Sequence, residues 1–272
     1  MIYRLFHPIP ALSDIVDHYW YVSSQQGEAP EQQYFYTPLL QALAFNFKKK
    51  AEHHTLPDKT FTLNKYAYLF GQGTGPRTTT ANEVDYLGVK FKPLGIAKIT
   101  GIHMENFVNQ IIDVEDIWGN ELESLCDEMQ SMPSLEGTIH VLEKFLIQKY
   151  RTITIHQRVD CTQNALNLIA NTRGNIDIKT LQDQTNTSRK TLERAFAQHL
   201  GIHPKLYARI VRFNAAKGRL DALEKNESLT SIALELGYYD SSHFIADFKF
   251  FSGLTPLGYL KRTLKDLIFT NL

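Results

Sequence analysis

The chain of 272 residues carries 29 Lys and Arg against 29 Asp and Glu, and 43% of it is hydrophobic. This composition is typical of a globular protein and excludes a disordered chain, and no apolar run approaches the roughly 18–20 residues of a membrane span. Two cysteines cannot form a disulfide framework or a Cys-rich zinc site. Because the N-terminus also lacks a signal-peptide pattern, we expect a cytoplasmic protein that does not associate with membranes.

The balanced total charge hides a difference between the two parts of the chain. Residues 1–156 hold 13 basic and 18 acidic side chains, whereas residues 157–272 hold 16 basic and 11 acidic ones. A basic C-terminal part indicates a polyanionic partner for that part.

The first 95 residues are predicted to be mainly β structure, with aromatic, partly alternating segments at 41–47, 61–70 and 84–91. The Gly-rich segment "GQGTGP" (71–76) lacks the Gly-Lys-Ser/Thr ending of a phosphate-binding loop, and no helical pattern follows it. We therefore expect a connection between strands there. Several aromatic side chains either line a small-molecule cavity in a β-barrel or form the strand core: Tyr34, Phe35, Tyr36, Phe45, Phe47, Tyr66, Tyr68 and Phe70.

From about residue 94 the apolar residues recur every three or four positions, which predicts amphipathic helices up to about residue 150. Periodicity breaks over 151–160, which is the predicted linker. The expected fold class is α+β, with a mostly-β, barrel-like sensor or dimerisation domain over 1–152 that includes helices. An all-α domain follows over 153–272.

The C-terminal part repeats one pattern at an offset of 52 residues, since "LGIHPKLYA" (200–208) and "SGLTPLGYL" (252–260) share Gly-x-x-Pro-x-x-Tyr. Helix caps and apolar positions repeat at the same offset, in the pairs Ser188 and Asp240, Leu192 and Phe244, and Phe196 and Phe248. Each copy reads as a short helix, a tight turn and a capped helix. The repeat predicts two helix-turn-helix units, at about 178–199 and 230–251, joined by a long helix over 205–221.

The outward positions of the second helix in each unit decide between DNA binding and an ordinary helical bundle. A helix fits the DNA major groove. There Arg can form two hydrogen bonds to guanine, Ser can bond to a hydrogen-bond donor or acceptor, and apolar side chains can contact thymine methyls. The repetition favours DNA binding. The predicted DNA-binding residues are Arg189, Lys190, Glu193, Arg194, Ser241, Ser242, His243 and Ala246.

Residues 231–260, "SIALELGYYDSSHFIADFKFFSGLTPLGYL", and residues 187–207, "TSRKTLERAFAQHLGIHPKLY", resemble the AraC/XylS family of bacterial transcription regulators. The resemblance covers about 158–265. It implies a seven-helix DNA-binding domain after a sensing or dimerising domain, acting on RNA polymerase at promoters. It also implies base contacts from Lys190, Glu193, Arg194, Ser241, Ser242, His243 and Ala246.

Two residues depart from the pattern of this family. Ala246 stands where the family often has Arg, which weakens the expected contribution of the second unit to specificity. Gln182 stands where a small residue lets two helices pack closely. The N-terminal segments 14–20, 88–95 and 105–119 resemble, more weakly, a sensor-like domain of uncharacterised bacterial regulators.

Other candidate sites are weaker. The pair His53 and His54 could indicate a metal, but a solvated loop is favoured; Asp113, Glu115 and Asp116 are expected in a solvated turn. Cys161 at the start of a helix leaves a redox sensor open. No nucleophile–base spacing is present, so we predict no enzyme, no catalytic residue, no metal and no cofactor.

The leading hypothesis is a sequence-specific regulator that binds double-stranded promoter DNA and whose N-terminal domain senses a small-molecule effector, forms a homodimer, or does both. The alternative is a ligand-binding or enzymatic N-terminal β domain with the helical units as a scaffold. A DNA-repair methyltransferase would need a metal-held cysteine cluster, against which the two isolated cysteines argue.

Overall fold

The computed structural model describes residues 2–25, 33–37, 39, 41–47, 51–55, 59–63, 67–80, 83–152, 159–222 and 228–261. Strands predominate up to residue 91 and helices from residue 95 to 152, and the described residues from 159 onward form helices with their connections. None of the helices in these ranges has the length and apolarity of a bilayer span.

The strands of the N-terminal part pair into two antiparallel sheets. They are β1 (Ile2–Phe6), β2 (Val16–Ser23), β3 (Gln33–Phe35), β4 (Gln41–Asn46), β5 (Ala51–Thr55), β6 (Lys59–Leu63), β7 (Ala67–Phe70), β8 (Arg77–Thr80), β9 (Asp85–Phe91) and β10 (Ile111–Asp113). One sheet has the order β1-β2-β9-β4-β7-β10 and the other the order β3-β8-β5-β6.

The expected barrel-like closure is wrong for the strands that the structure describes. Both sheets are open, because β1 and β10 form the two edges of the larger sheet and do not pair with each other. Helices cover one face of this sheet instead. In a closed barrel that face would be buried inside the barrel, whereas here helices bury it. Every residue of the central strand β4 is buried.

Four helices complete the N-terminal part: α1 (Gly95–Thr100), α2 (Glu115–Trp118), α3 (Asn120–Ser131) and α4 (Leu135–Thr152). The predicted periodicity is confirmed, since the apolar stripes of α3 and α4 are buried. They share a core with Leu43 and Phe45 of β4 and with Leu87 and Val89 of β9. Alternate residues of these strands point toward the helices because side chains alternate between the faces of a strand.

The C-terminal part consists of α5 (Val159–Asn171), α6 (Ile178–Thr185), α7 (Arg189–Leu200), α8 (Pro204–Asp221), α9 (Leu229–Glu235), α10 (Ser241–Ser252) and α11 (Pro256–Leu260). The predicted linker 151–160 overlaps the end of α4 and the start of α5, and residues 153–158 lie outside the described ranges. The domain division at 152/153 stays a prediction.

A short segment after β3 contacts the C-terminal part of the chain. The ring of Tyr36 meets that of Tyr259 edge-on at 5.2 Å between centroids. Thr37 Oγ1 donates a hydrogen bond to the carbonyl oxygen of Phe251 at 2.5 Å, and Asn214 Nδ2 donates one to the carbonyl oxygen of Thr37 at 3.1 Å. Tyr36 and Thr37 are both buried. We call this set of interactions the 36–37 contact.

Candidate nucleic-acid interface

The helices α7 and α10 begin and end in the same way, as the repeat predicts. The side chain of Ser188 accepts a hydrogen bond from the backbone N–H three residues later at 3.2 Å, and that of Asp240 does so at 2.7 Å. These caps satisfy backbone donors that have no partner within the helix. Gly201 and Gly253 end the two helices with φ of 79° and 75°, a left-handed conformation that glycine adopts without a steric cost.

One aromatic pair holds each unit to the helix that follows it. The rings of Phe196 and Tyr207 lie 5.9 Å apart, and those of Phe248 and Tyr259 lie 5.5 Å apart, both edge-on. Both phenylalanines are fully buried. The Gly-x-x-Pro-x-x-Tyr repeat therefore places a tyrosine ring against the buried phenylalanine of its own unit.

The buried carboxylate of Asp247 ties the second unit to the long helix α8. Arg209 donates to Asp247 Oδ1 from Nε at 3.1 Å and from Nη2 at 2.5 Å. Arg212 Nη2 lies 3.7 Å from Asp247 Oδ2, and the Asp247 side chain is only 4% exposed. Because a buried charge is costly without a partner, this ion pair keeps α10 in a defined position on α8.

Two further contacts fix the same arrangement. Glu235 of α9 accepts from Arg173 at 3.0 Å and from Arg219 of α8 at 3.2 Å. The hydroxyl of Tyr259 donates to Asp221 Oδ1, at the end of α8, at 2.6 Å. The units are therefore connected by charged contacts as well as by apolar packing.

The predicted DNA-binding residues of the first unit lie in the first two turns of α7. Arg189, Lys190 and Arg194 are exposed, and Glu193 is partly exposed. Arg189 Nε lies 2.9 Å from Glu193 Oε1, so these two charges neutralise each other. Among the described residues, Lys190 and Arg194 have no acidic partner within 4.0 Å.

The predicted residues of the second unit differ in exposure. Ser242, His243 and Ala246 are exposed, whereas Ser241 is only partly exposed. The hydroxyl of Ser241 lies 3.0 Å from that of Thr230 in α9. Ser241 thus connects the two helices of its unit, and the neighbouring Ser242 is the hydroxyl that faces solvent.

Sequence reasoning missed a groove of about 840 Å³ lined by α8, α10 and the start of α6. Lys205, Arg209 and Arg212 of α8 line it, beside His243 and Ala246 of α10. The sequence does contain the pattern that predicts this groove lining, because spacings of four and three residues put the three basic side chains on one face of a helix.

The turn of the second unit presents a further side chain that sequence reasoning missed. Tyr239 directly precedes the Asp240 cap, and its side chain is 88% exposed. Its neighbour Tyr238 is buried, and burial raises the pKa of that phenol, with the negative charge of Asp247 adding to the effect.

The structure also locates the weaker candidate sites. His53 and His54 lie in β5, paired on both sides with β6 and β8, so the expected solvated loop is wrong: two neighbouring strands satisfy that backbone. The acidic residues flank the start of α2, where Asp113 Oδ1 accepts from the N–H of Glu115 at 3.0 Å and Asp116 is exposed. Within the described residues, no three His, Cys, Asp or Glu side chains form a metal-binding group.

Comparison with known proteins matches two regions of the chain. Residues 181–262 match a helix-turn-helix domain. Residues 4–113 match a domain of unknown function, DUF6597. An uncharacterized HTH-type transcriptional regulator of Haemophilus influenzae is 34% identical over 84 residues, 31% of this chain and 28% of that protein. The HTH-type transcriptional activator RhaS of Pectobacterium atrosepticum is 36% identical over 69 residues, 25% of this chain and 24% of that protein.

The helical domain is an AraC/XylS-type domain. This confirms the resemblance stated from residues 187–207 and 231–260. The chain spans about a quarter of the length of these curated relatives. Over the whole length, ToxT from Vibrio cholerae is 11% identical with a TM-score of 0.47, covering 95% of this chain and 96% of that one. The match to the AraC-type domain leaves the predicted base contacts as predictions.

Proposed function

We propose that this protein regulates transcription by binding a specific promoter duplex, with α7 and α10 inserted into the major groove. The duplicated capped helix, held on one shared helix, is the observation that carries the proposal. We assign no enzymatic activity to the chain. The N-terminal part senses a small-molecule effector, forms a homodimer, or does both, and RNA polymerase is the downstream partner. Binding to a bacterial promoter places the protein in the cytoplasm.

The spacing of the two units supports binding to one face of DNA. Helix α8 has 18 residues, which corresponds to about 27 Å at 1.5 Å per residue. Successive major-groove faces recur about 34 Å apart along the duplex. Both α7 and α10 pack against α8. We infer that this span is sufficient to present the two helices to adjacent turns. The Asp247 ion pairs with Arg209 and Arg212 limit variation in that spacing.

The chemistry of the two helices predicts unequal contributions. In α7, Lys190 and Arg194 present free positive charge, and Arg is the side chain best suited to guanine O6 and N7. In α10, Ser242, His243 and Ala246 offer one hydroxyl, one imidazole and one methyl group. We infer that the first unit provides most of the base discrimination and that the second unit mainly positions the protein.

The groove beside α10 adds a contact to the DNA backbone. Lys205 is exposed at its rim, whereas Arg209 is engaged with Asp247. A lysine at such a position acts as a point charge for a phosphate and carries no sequence information. We therefore assign Lys205 to phosphate binding.

Selection of duplexes from a random pool, followed by affinity measurement on the enriched sequence, tests the proposal. We expect Arg194→Ala to weaken binding to that sequence by about 1–3 kcal/mol and to relax the preference at one base pair. Arg4→Ala is the matched control, because Arg4 is an exposed arginine of the N-terminal part paired with Glu136 at 2.7 Å. Failure to enrich any sequence would contradict the proposed function.

Lys205→Ala separates phosphate contacts from base contacts. We expect equal losses of affinity on the enriched sequence and on unrelated duplexes, with a slope of log K against log salt lower by about 1. A loss confined to the enriched sequence would show that Lys205 reads bases.

A further inference from the structure

The N-terminal part buries an arginine that has no anionic partner among the described residues. Arg77 begins β8 and is 7% exposed, and its Nη2 atom has no hydrogen-bond partner within the same part of the chain. No acidic side chain of the described ranges lies within 4.0 Å of the guanidinium. The ring of Phe70 is an aromatic neighbour, with its centroid 5.6 Å from the Arg77 Cζ atom. The cation is thus largely buried, and the described residues supply no counter-charge to it.

The guanidinium stays charged near neutral pH. Burial lowers the pKa of Arg77 to about 10, which is still well above 7. A buried charge without a partner costs stability, and a fold keeps such a group where a ligand provides the missing charge. Buried ionisable groups with perturbed pKa values cluster at functional sites.

The Gly-rich loop 71–76 lies directly beside this arginine. A Cβ atom added to Gly73 would lie 3.7 Å from Arg77 Nη2, and one added to Gly75 would meet no atom within 4 Å. Neither glycine has a positive φ. Among the described residues, neither the backbone conformation nor a steric clash requires glycine at these two positions. Close approach of a ligand to the backbone would require it.

The loop is held in place before any ligand binds. Asn109 Oδ1 accepts from the N–H of Thr74 and Asn109 Nδ2 donates to Thr74 Oγ1, both at 2.8 Å. The N–H of Asn109 in turn donates to the carbonyl oxygen of Gln72 at 3.1 Å. Such preorganisation lowers the entropy cost of binding.

We propose that Arg77 and the loop 71–76 bind the oxyanion group of a small molecule. An arginine fork matches the planar carboxylate and the tetrahedral phosphate equally. The neighbouring Phe70 belongs to an apolar cluster with Trp20, Ala42 and Tyr68, which favours a molecule with an apolar body over a free inorganic ion. The inference rests on the proposed function only in naming this molecule as the effector.

The position of the site connects it to the DNA-binding part. Arg77 pairs with Phe35 across β8 and β3, and Phe35 directly precedes the 36–37 contact. Pro76 Cγ lies 3.5 Å from the position that a Cβ atom on Gly253, at the end of α10, would occupy. A ligand bound to Arg77 and this loop therefore lies within one residue of both contacts to the second unit.

Thermal unfolding in a buffer free of carboxylate and phosphate, at matched ionic strength, tests the site without DNA. The probes are sodium benzoate, inorganic phosphate and the neutral analogue benzamide. We expect a saturable rise in Tm with benzoate, none with benzamide, and an affinity about tenfold or more weaker in Arg77→Met. Arg4→Met is the matched control and retains the response. A response to phosphate alone supports the site and assigns it to phosphate-bearing ligands.

Two results overturn the proposal. One is the absence of a saturable rise with either anion, or a rise that Arg77→Met retains. The other concerns the unliganded protein, in which removal of an uncompensated charge should leave Tm unchanged or raise it by on the order of 2–4 °C. A lower Tm for Arg77→Met would assign a structural role to this side chain. Both readouts are independent of DNA binding, so failure here is distinguishable from failure of the proposed function.

Discussion

Truncation of Phe248 should destabilise the second unit more than the same change destabilises the first. Phe248 is fully buried, and its ring lies within 5.8 Å of the rings of Phe213, Phe244 and Tyr259. Phe196 is equally buried, but among the described residues its ring contacts one other ring, that of Tyr207 at 5.9 Å. A buried Phe→Ala change costs about 3–5 kcal/mol. Each aromatic pair adds about 0.5–1.5 kcal/mol beyond burial, so Phe248→Ala should exceed Phe196→Ala by about 1–3 kcal/mol.

Urea unfolding followed by two signals measures this difference. Both tryptophans, Trp20 and Trp118, lie in the N-terminal part, so their fluorescence follows that part, while far-ultraviolet circular dichroism follows mainly the helices. We expect Phe248→Ala to lower the circular dichroism midpoint well below that of the tryptophan signal. Equal losses for Phe248→Ala and Phe196→Ala, or a smaller loss for Phe248→Ala, would refute the argument from ring contacts.

Three further changes test other contacts. Tyr259→Phe removes the hydrogen bond to Asp221 and should lower the free energy of unfolding in urea by about 1.5 kcal/mol. This is the lower end of the range of about 1.5–3 kcal/mol for hydrogen bonds to charged groups, because that carboxylate is partly exposed. No loss would show that the bond contributes nothing. Thr37→Val leaves the Phe251 carbonyl without its donor and should accelerate hydrogen exchange at the end of α10, whereas unchanged exchange would argue against the contact. Burial lowers the pKa of His199 below 6.5, so the unfolded state takes up its proton first on acidification. Stability should fall as the pH drops through about 6.5, by at most about 1.4 kcal/mol per pH unit, and less steeply in His199→Asn; equal slopes would contradict this.

The helical part was largely predictable because its signals are local. Caps at Ser188 and Asp240 and left-handed ends at Gly201 and Gly253 are decided by residues within one turn of each other. The exposed positions of α7 follow from the same periodicity. The sequence did not reveal contacts between side chains of different helices. The contact of Ser241 with Thr230, for example, depends on how α9 and α10 pack.

The N-terminal part was less predictable because sheet pairing joins distant segments. The apolar runs of β4 and β9 were identified as strands, but the order of the strands and the open edges depend on register between remote residues. The polar strand β8, "RTTT", has little apolar content. Arg77 could not be singled out, because it is distinguished by having no anionic partner among the residues that the structure describes, and no residue pattern encodes that.

The 36–37 contact has a practical consequence for dissecting the protein. A fragment that starts at α5 would lack Tyr36 and Thr37, which uncovers the Tyr259 ring and removes hydrogen-bonding partners from Phe251 and Asn214. Such a fragment exposes additional apolar surface beside the end of α10. Its solubility and any DNA affinity would then differ from those of the same helices in the chain of 272 residues. Measurements on the fragment should therefore be compared with measurements on that chain.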